Sequence, residues 1–167
     1  MDKRILQKLY EDYGREILLY LYSLCRNWEL AEDLAQETFE KALLSLSERH
    51  TNVKAWLYVV ARNLCFNVMK KEKRQISMEE TWMEQMEAVD NILEPIIKKE
   101  QNRMLYRALM QLPSPRREIL QLQYFSGLSL KEIARILQIT PENARVMSHR
   151  AKKELRAKLE EAGYEIS

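Results

Sequence analysis

The sequence predicts an all-α fold made of two small helical domains joined by an acidic linker, with a helix-turn-helix in the C-terminal domain. The chain has only three Gly and four Pro among 167 residues, and so few turn residues favour long helices. Apolar residues recur at three- and four-residue spacing along most of the chain, which is the period of a helix that buries one face.

The distribution of charge supports the division into domains. Residues 1–75 carry 13 basic and 11 acidic side chains, residues 76–100 carry 2 and 7, and residues 101–167 carry 12 and 7. Two basic parts therefore flank an acidic one. We predict domains at residues 1–75 and 100–167, joined by a linker at residues 76–99.

The first predicted domain contains three helices. An apolar stripe from Ile5 to Leu24 marks the first helix, the second covers about Glu29 to Leu46, and the third runs from about Val53 to Arg74. The segment between Ser45 and Val53 lacks this period and is predicted to be a loop.

The linker and the second predicted domain are also helical in pattern. Segment 76–99 contains no Gly, and its Met and Trp side chains fall at helical spacing, so the linker is predicted to be partly helical. Helices are predicted from Pro95 to Leu112 and from Pro115 to Phe125, the second closed by Gly127.

Two further helices are predicted to meet across a tight turn near the C-terminus. Ser129 with Glu132 matches a capping box that begins the first helix. Thr140 with Pro141 matches the start of the second. Ala134 is small enough to lie where the two helices cross, which is what a helix-turn-helix requires.

The second of these helices is strongly basic. Between Arg145 and Lys158 there are six basic residues and one acidic residue, a density that suits contact with DNA phosphates and base edges. Val146 can face inward. A solvated basic surface helix is the alternative interpretation, which the capped first helix and the tight turn disfavour. The candidate DNA-binding residues are Lys131, Asn143, Arg145, His149, Arg150, Lys152 and Lys153.

The same stretch, LPSPRREILQLQYFSGLSLKEIARILQITPENARVMSHRAKKEL, resembles the fourth conserved region of bacterial sigma factors of the sigma-70 family. The resemblance implies that the basic helix binds the minus-35 promoter element. The family often has a basic residue and an aliphatic residue where Met147 and Ser148 stand in this chain.

Residues 31–43, AEDLAQETFEKAL, resemble the polymerase-binding helix of the second sigma region. The resemblance implies core RNA polymerase as a partner, through its beta-prime clamp helices, with the beta flap as a further contact. The spacing agrees, because Asp33, Glu37 and Glu40 fall on one helix face that can meet basic side chains. An ordinary acidic surface is the alternative. The residues assigned to polymerase binding are Glu32, Asp33, Gln36, Glu37 and Glu40.

Residues 53–74, VKAWLYVVARNLCFNVMKKEKR, resemble the helix that follows the minus-10 recognition loop. Opening a duplex requires stacking partners, hydrogen bonds and cations for the exposed strand. The loop at 47–52 is expected to hold the flipped base. Trp56 is predicted to lie in the core, and Tyr58 could either stack on a base or lie in the core. The residues assigned to minus-10 DNA are Lys54, Arg62, Asn63, Asn67, Lys70, Lys71, Lys73 and Arg74.

These motifs in this order are similar to the compact extracytoplasmic-function group of sigma factors. The resemblance implies a transcription initiation factor that directs core polymerase to promoter DNA at minus-10 and minus-35 elements. Members of the group are often held inactive by an anti-sigma protein, which makes such a protein a candidate partner. The alternative function is a stand-alone helix-turn-helix regulator that dimerises through its N-terminal helices.

Other classes of function have little support in the sequence. There is no Gly-rich phosphate loop, and His50 and His149 lie far apart, so no enzyme activity is predicted. Cys25 and Cys65 are too isolated for a zinc site, and no cofactor is expected. The apolar stretch at 17–25 is short of the roughly 20 residues that a bilayer requires, so we expect a cytoplasmic protein without membrane insertion.

Overall fold

The computed structural model describes residues 3–45, 52–72, 93–94 and 96–163, and every regular element in these ranges is helical. The predicted all-α fold is therefore confirmed. The helices are α1 (Lys3–Cys25), α2 (Trp28–Ser45), α3 (Val53–Glu72), α4 (Glu100–Leu109), α5 (Ser114–Gln121), a π-helical turn (Leu122–Ser126), α6 (Leu130–Leu137) and α7 (Pro141–Glu161).

Helices α1, α2 and α3 pack against one another and form the N-terminal lobe. The predicted stripe of α1 is buried at Ile17, Leu21 and Leu24, but Ile5 in its first turn is 41% exposed. Tyr58, whose place was left open, is only 1% exposed, and its ring meets that of Tyr20 edge to face at 5.0 Å. It is therefore a core residue, because a ring buried this deeply cannot stack on a base without unpacking the lobe.

Trp56 was predicted to lie in the core, but it is only partly buried and packs against the edge of the core. Several other predicted features lie outside the described residues. These are the loop at 47–51, most of the linker at 76–99, and the assigned residues Lys73 and Arg74.

Helices α4 to α7 form the C-terminal lobe, and two of its predicted boundaries were wrong. Helix α4 begins at Glu100 instead of Pro95, because Lys99 has extended backbone angles (φ −80°, ψ 123°) that interrupt the helix. It ends at Leu109, since the N–H groups of Gln111 and Leu112 bond three residues back and tighten the last turn. The division into two separately folded domains stays a prediction.

The two lobes contact each other through α1 and α3 on one side and through α5, the π-helical turn and α6 on the other. The hydroxyl of Tyr106 donates to the carbonyl of Leu19 at 2.7 Å, and Nη2 of Arg26 donates to the carbonyl of Met110 at 2.8 Å. Buried residues of both lobes belong to one hydrophobic cluster. This packing decides which charged side chains of α3 reach solvent.

Candidate nucleic-acid interface

Helices α6 and α7 form the predicted helix-turn-helix, and local hydrogen bonds fix both of its helix starts. The hydroxyl of Ser129 accepts from the backbone N–H of Glu132 at 3.2 Å and donates to its carboxylate at 3.1 Å. The hydroxyl of Thr140 accepts from the N–H of Asn143 at 3.1 Å. Gln138 makes the turn in the left-handed region (φ 59°), and Ala134 is buried at the helix crossing.

The inner face of α7 is formed by Ala144, Ser148, Ala151 and Leu155, all of which are buried. Ser148 is 3% exposed and donates its hydroxyl to Oε1 of Gln123, so its polar group is satisfied inside the lobe. The prediction that Val146 faces inward was wrong. Two residues span more than half a turn of a helix, and Val146 is therefore opposite Ala144 and Ser148.

The outer face of the helix-turn-helix carries all the side chains that the sequence assigned to it. Arg145 has a counter-ion in Glu142 at 3.8 Å, but both groups are well exposed, and such pairs contribute little to stability. The cations of α7 are therefore available to an anionic partner. The exposed residues are Lys131, Asn143, Arg145, His149, Arg150, Lys152 and Lys153.

A groove of about 540 Å³ separates the first turns of α7 from the start of α5. Arg116 lies on its rim, where Nη1 is 2.7 Å from the carboxylate of Glu154. The next residue, Arg117, is buried and donates to the carbonyl of Leu112 at 3.1 Å, and burial lowers its pKa to about 10. The lining residues are Pro113, Pro115, Arg116, Ile139, Asn143, Val146, Met147 and Arg150.

Arg116 was missed by the sequence reasoning as a candidate DNA contact. The only signal was a pair of arginines after the prolines that open α5. That signal does not distinguish exposed Arg116 from buried Arg117, because the direction of each depends on where α7 and the N-terminal lobe pack.

Helix α2 presents its acidic face to solvent. Its buried side is formed by small and apolar residues, which include Ala31, Leu34 and Phe39. Across the exposed side, Nε2 of Gln36 donates to the carboxylate of Glu40 at 3.2 Å. The exposed residues are those that the sequence assigned to polymerase binding, namely Glu32, Asp33, Gln36, Glu37 and Glu40.

Helix α3 divides its assigned residues between two faces. Asn63, Asn67, Lys70 and Lys71 are exposed and follow one another at three- and four-residue spacing, so they share one side of the helix. Arg62 points the other way, toward the C-terminal lobe, and its guanidinium lies 4.5 Å from the centre of the Phe66 ring. The structure therefore does not place Arg62 with the other assigned residues.

An ion pair joins Arg62 to the C-terminal lobe, with Nε 2.8 Å from Oε1 of Glu118. The side chain of Glu118 is only 4% exposed, and burial raises its pKa although Arg62 opposes the shift. Taking a carboxylate out of water is costly unless a cation is present. Arg62 thus has a structural role in this arrangement of the lobes.

Lys54 is also engaged, within its own lobe. Its ammonium lies 3.4 Å from the carboxylate of Glu16, which also accepts from the hydroxyl of Tyr58 at 3.1 Å. Burial raises the pKa of Glu16, and the nearby Lys54 opposes that shift. Beside Lys54, Nδ2 of Asn52 donates to Glu132 of the helix-turn-helix at 3.2 Å.

The two charged lobes correspond to the two regions of a known family. Models of sigma-70 region 2 and sigma-70 region 4 match residues 9–75 and 102–155. The chain is also 30% identical over 153 residues to the ECF RNA polymerase sigma factor SigM of Bacillus subtilis, a match that covers 91% of this chain and 93% of that relative. This protein is an ECF sigma factor of the sigma-70 family.

A second relative agrees with this assignment, and a solved structure shares the fold. The RNA polymerase sigma factor YlaC of Bacillus subtilis is 32% identical to this sigma factor over 158 residues, with 90% of each chain covered. The sigma factor RpoE of Bartonella quintana, solved in complex with the anti-sigma factor NepR, shares the fold with a TM-score of 0.68 at 22% identity. That match covers 95% of this chain and 98% of the other.

Membership of this family makes the protein a transcription initiation factor that associates with RNA polymerase and binds DNA. Nothing in these comparisons favours the alternative of a stand-alone regulator. Sigma factors act in initiation without being catalysts themselves. No helix within the described ranges has the length and apolar character needed to cross a membrane.

Proposed function

We propose that this sigma factor binds core polymerase through the acidic face of α2, reads the minus-35 element with α7, and contacts minus-10 DNA with the exposed side of α3. The observation that carries the proposal is that α2 and α7 present faces of opposite charge to solvent while burying their other sides. Because polymerase is the partner, we propose that the protein acts in the cytoplasm.

The acidic face suits a basic partner helix. Asp33, Glu37 and Glu40 share one side of α2 and are exposed, so they can pair with arginine or lysine side chains without moving. Complementary charge of this kind fixes the register of an interface and speeds association. The beta-prime clamp helices of core polymerase are the proposed site, and the beta flap is proposed to contact the C-terminal lobe.

The helix-turn-helix suits the major groove of duplex DNA. In such motifs the first turns of the second helix reach base edges, while the first helix crosses the phosphate backbone. Asn143 and Arg145 lie in those first turns, and Lys131 lies on the first helix; all three are exposed. We assign Lys131 to phosphate contacts and the α7 side chains to the minus-35 element.

The exposed side of α3 suits a single strand. Asn63 and Asn67 offer hydrogen bonds to unpaired bases, and Lys70 and Lys71 continue the same side with cations for the backbone. Arg62 can join this surface only after its ion pair with Glu118 of the other lobe opens. All the assigned residues of α3 can therefore contact DNA together only after the two lobes separate.

An anti-sigma protein is a further proposed partner. Support comes from the fold shared with a sigma factor that was solved in complex with an anti-sigma factor. Co-expression of this chain with the products of adjacent genes tests the proposal: a partner that co-purifies and lowers transcription supports it, and the absence of any such partner contradicts it.

Charge reversal on α2 tests the polymerase contact. The double variant Asp33→Lys, Glu37→Lys places cations opposite a basic partner, and like charges across an interface cost several kcal/mol, so we expect affinity for core polymerase to fall at least ~100-fold. The measurement is a binding titration of labelled sigma factor with core enzyme.

The matched control is Glu11→Lys, Asp12→Lys, which makes the same change in net charge at exposed positions of α1. It should bind core polymerase nearly as the wild type does. Both double variants should keep the thermal unfolding midpoint of the wild type, because none of the four side chains is buried. Equal loss of affinity in both variants would show that net charge, and not this face, governs binding.

A further inference from the structure

Val146 is an apolar side chain at the outermost position of a basic helix. It is 50% exposed, whereas Met147, Leu155 and Leu159 of α7 are buried or half-buried. Asn143 precedes it by three residues and Arg150 follows it by four, so both are its neighbours on the helix surface. Glu142, the acidic neighbour four residues before it, is paired with Arg145, and the other groups around this aliphatic side chain suit DNA.

The stability of the lobe does not explain this residue. Valine is a poorer helix former than alanine, lysine or arginine, because its branched side chain loses rotamer freedom in a helix. Half of the valine surface is exposed, and that half gains nothing from the hydrophobic effect. A contact outside the lobe would account for a valine at this position.

The surroundings restrict what that contact can be. An apolar protein surface placed on Val146 would also cover Asn143, Arg150 and Lys153, and it would strip water from their polar and charged groups without compensation. The DNA major groove provides both kinds of partner. Its phosphates and base edges accept from the polar groups, and the 5-methyl group of thymine is its one apolar feature.

We propose that Val146 packs on the 5-methyl group of a thymine in the minus-35 element and so helps to determine promoter specificity. The inference rests on the proposed role of α7 in the major groove. The side chain belongs to the second turn of α7, within the part of a recognition helix that reaches base edges. Arg116 and Arg150 line the adjoining groove. They can bind the DNA phosphates that determine how deeply α7 enters the major groove.

Val146→Ala tests this contact in run-off transcription with core polymerase and a promoter library randomised across the minus-35 element. For the wild type we expect at least one position to prefer thymine. In the variant that preference should fall about fourfold, the size expected for one buried methyl group, and preferences at the other positions should hold. Ile5→Ala, which truncates another exposed branched side chain on α1, should change no preference.

Deoxyuridine supplies the reciprocal test on the DNA, because it lacks only the methyl group of thymine. Replacing the responsive thymine should lower wild-type transcription about fourfold and should leave the Val146→Ala variant unchanged, as expected when two changes remove the same contact. The wild-type arm tests the contact even if the variant were unstable. If no thymine in the element responds to deoxyuridine, the inference is overturned.

The outcomes also separate this inference from the proposed function. If Arg145→Ala, Arg150→Ala weakens use of the element while Val146→Ala alters no thymine preference, the inference fails and the role of α7 stands. If the wild type shows no sequence preference in the upstream element at all, the proposed role of α7 and the inference fail together.

Discussion

Helices α3 and α7 both carry cations that suit DNA, but they differ in how freely those cations can reach it. The assigned residues of α7 are all exposed, and the ion pair of Arg145 with Glu142 is on the surface. In α3 the guanidinium of Arg62 is bound to Glu118 of the opposite lobe. The cations of α7 can therefore meet DNA in this arrangement, whereas Arg62 of α3 is held by the lobe interface.

The same substitution in the two helices should have very different effects on stability. Arg62→Ala leaves the buried carboxylate of Glu118 without its cation, and breaking a buried pair in this way costs roughly 3 kcal/mol or more. Arg145→Ala removes only an exposed pair and should change the free energy of unfolding by less than about 0.5 kcal/mol. Denaturant unfolding measures both, and equal values for the two variants would contradict the comparison.

Replacing both partners of the buried pair measures how strongly their contributions to stability depend on each other. Arg62→Met with Glu118→Leu removes the unpaired charge, so much of the stability lost in Arg62→Met alone should return. We expect a coupling free energy of about 2 kcal/mol from the double-mutant cycle. A coupling near zero would show that the two side chains do not depend on each other in solution.

Loss of the exposed cations of α7 should affect promoter choice and leave the fold unchanged. Arg145→Ala, Arg150→Ala removes two proposed DNA contacts, so we expect transcription from promoters that depend on the minus-35 element to fall at least about tenfold. Promoters without such dependence serve as the control and should keep their activity. Equal activity on both classes would show that a different face of α7 meets DNA.

The smallest expected effect is a dependence of stability on pH. Because burial raises the pKa of Glu118, the folded chain binds more protons than the unfolded chain from about pH 4.5 up to the raised pKa. The contribution of Glu118 to the free energy of unfolding therefore falls as the pH rises through this window. The free energy of unfolding, plotted against pH, should have a different slope in this window for the wild type and for Glu118→Gln. Parallel plots would contradict the raised pKa of Glu118.

Local patterns in the sequence predicted the helix-turn-helix and the acidic face of α2. The bonds from Ser129 and Thr140 to residues three positions away depend on short segments alone. Long-range packing was not predictable in this way. The contact between Arg62 and Glu118 joins residues 56 positions apart, and nothing in the periodicity of either helix identifies the partner.

The outward orientation of Val146 has a similar cause. Sequence hydrophobicity favours the valine inside and the serine outside, but the inner side of α7 is set by the small residues Ala144 and Ala151. Ser148 shares that side, where Gln123 accepts from its hydroxyl. The polar partner of Ser148 lies outside α7, and the sequence of α7 alone does not identify it.

A gel-shift titration with and without core polymerase tests the contrast between the two helices most directly. The probe is a promoter selected in the run-off experiment. We predict that the isolated chain binds weakly and responds only to changes in the minus-35 element, because α7 is exposed and α3 is partly held. With core polymerase, binding should be tight and should respond to both elements. Tight binding by the isolated chain that depends on both elements would show that the lobe interface does not hold α3 away from DNA.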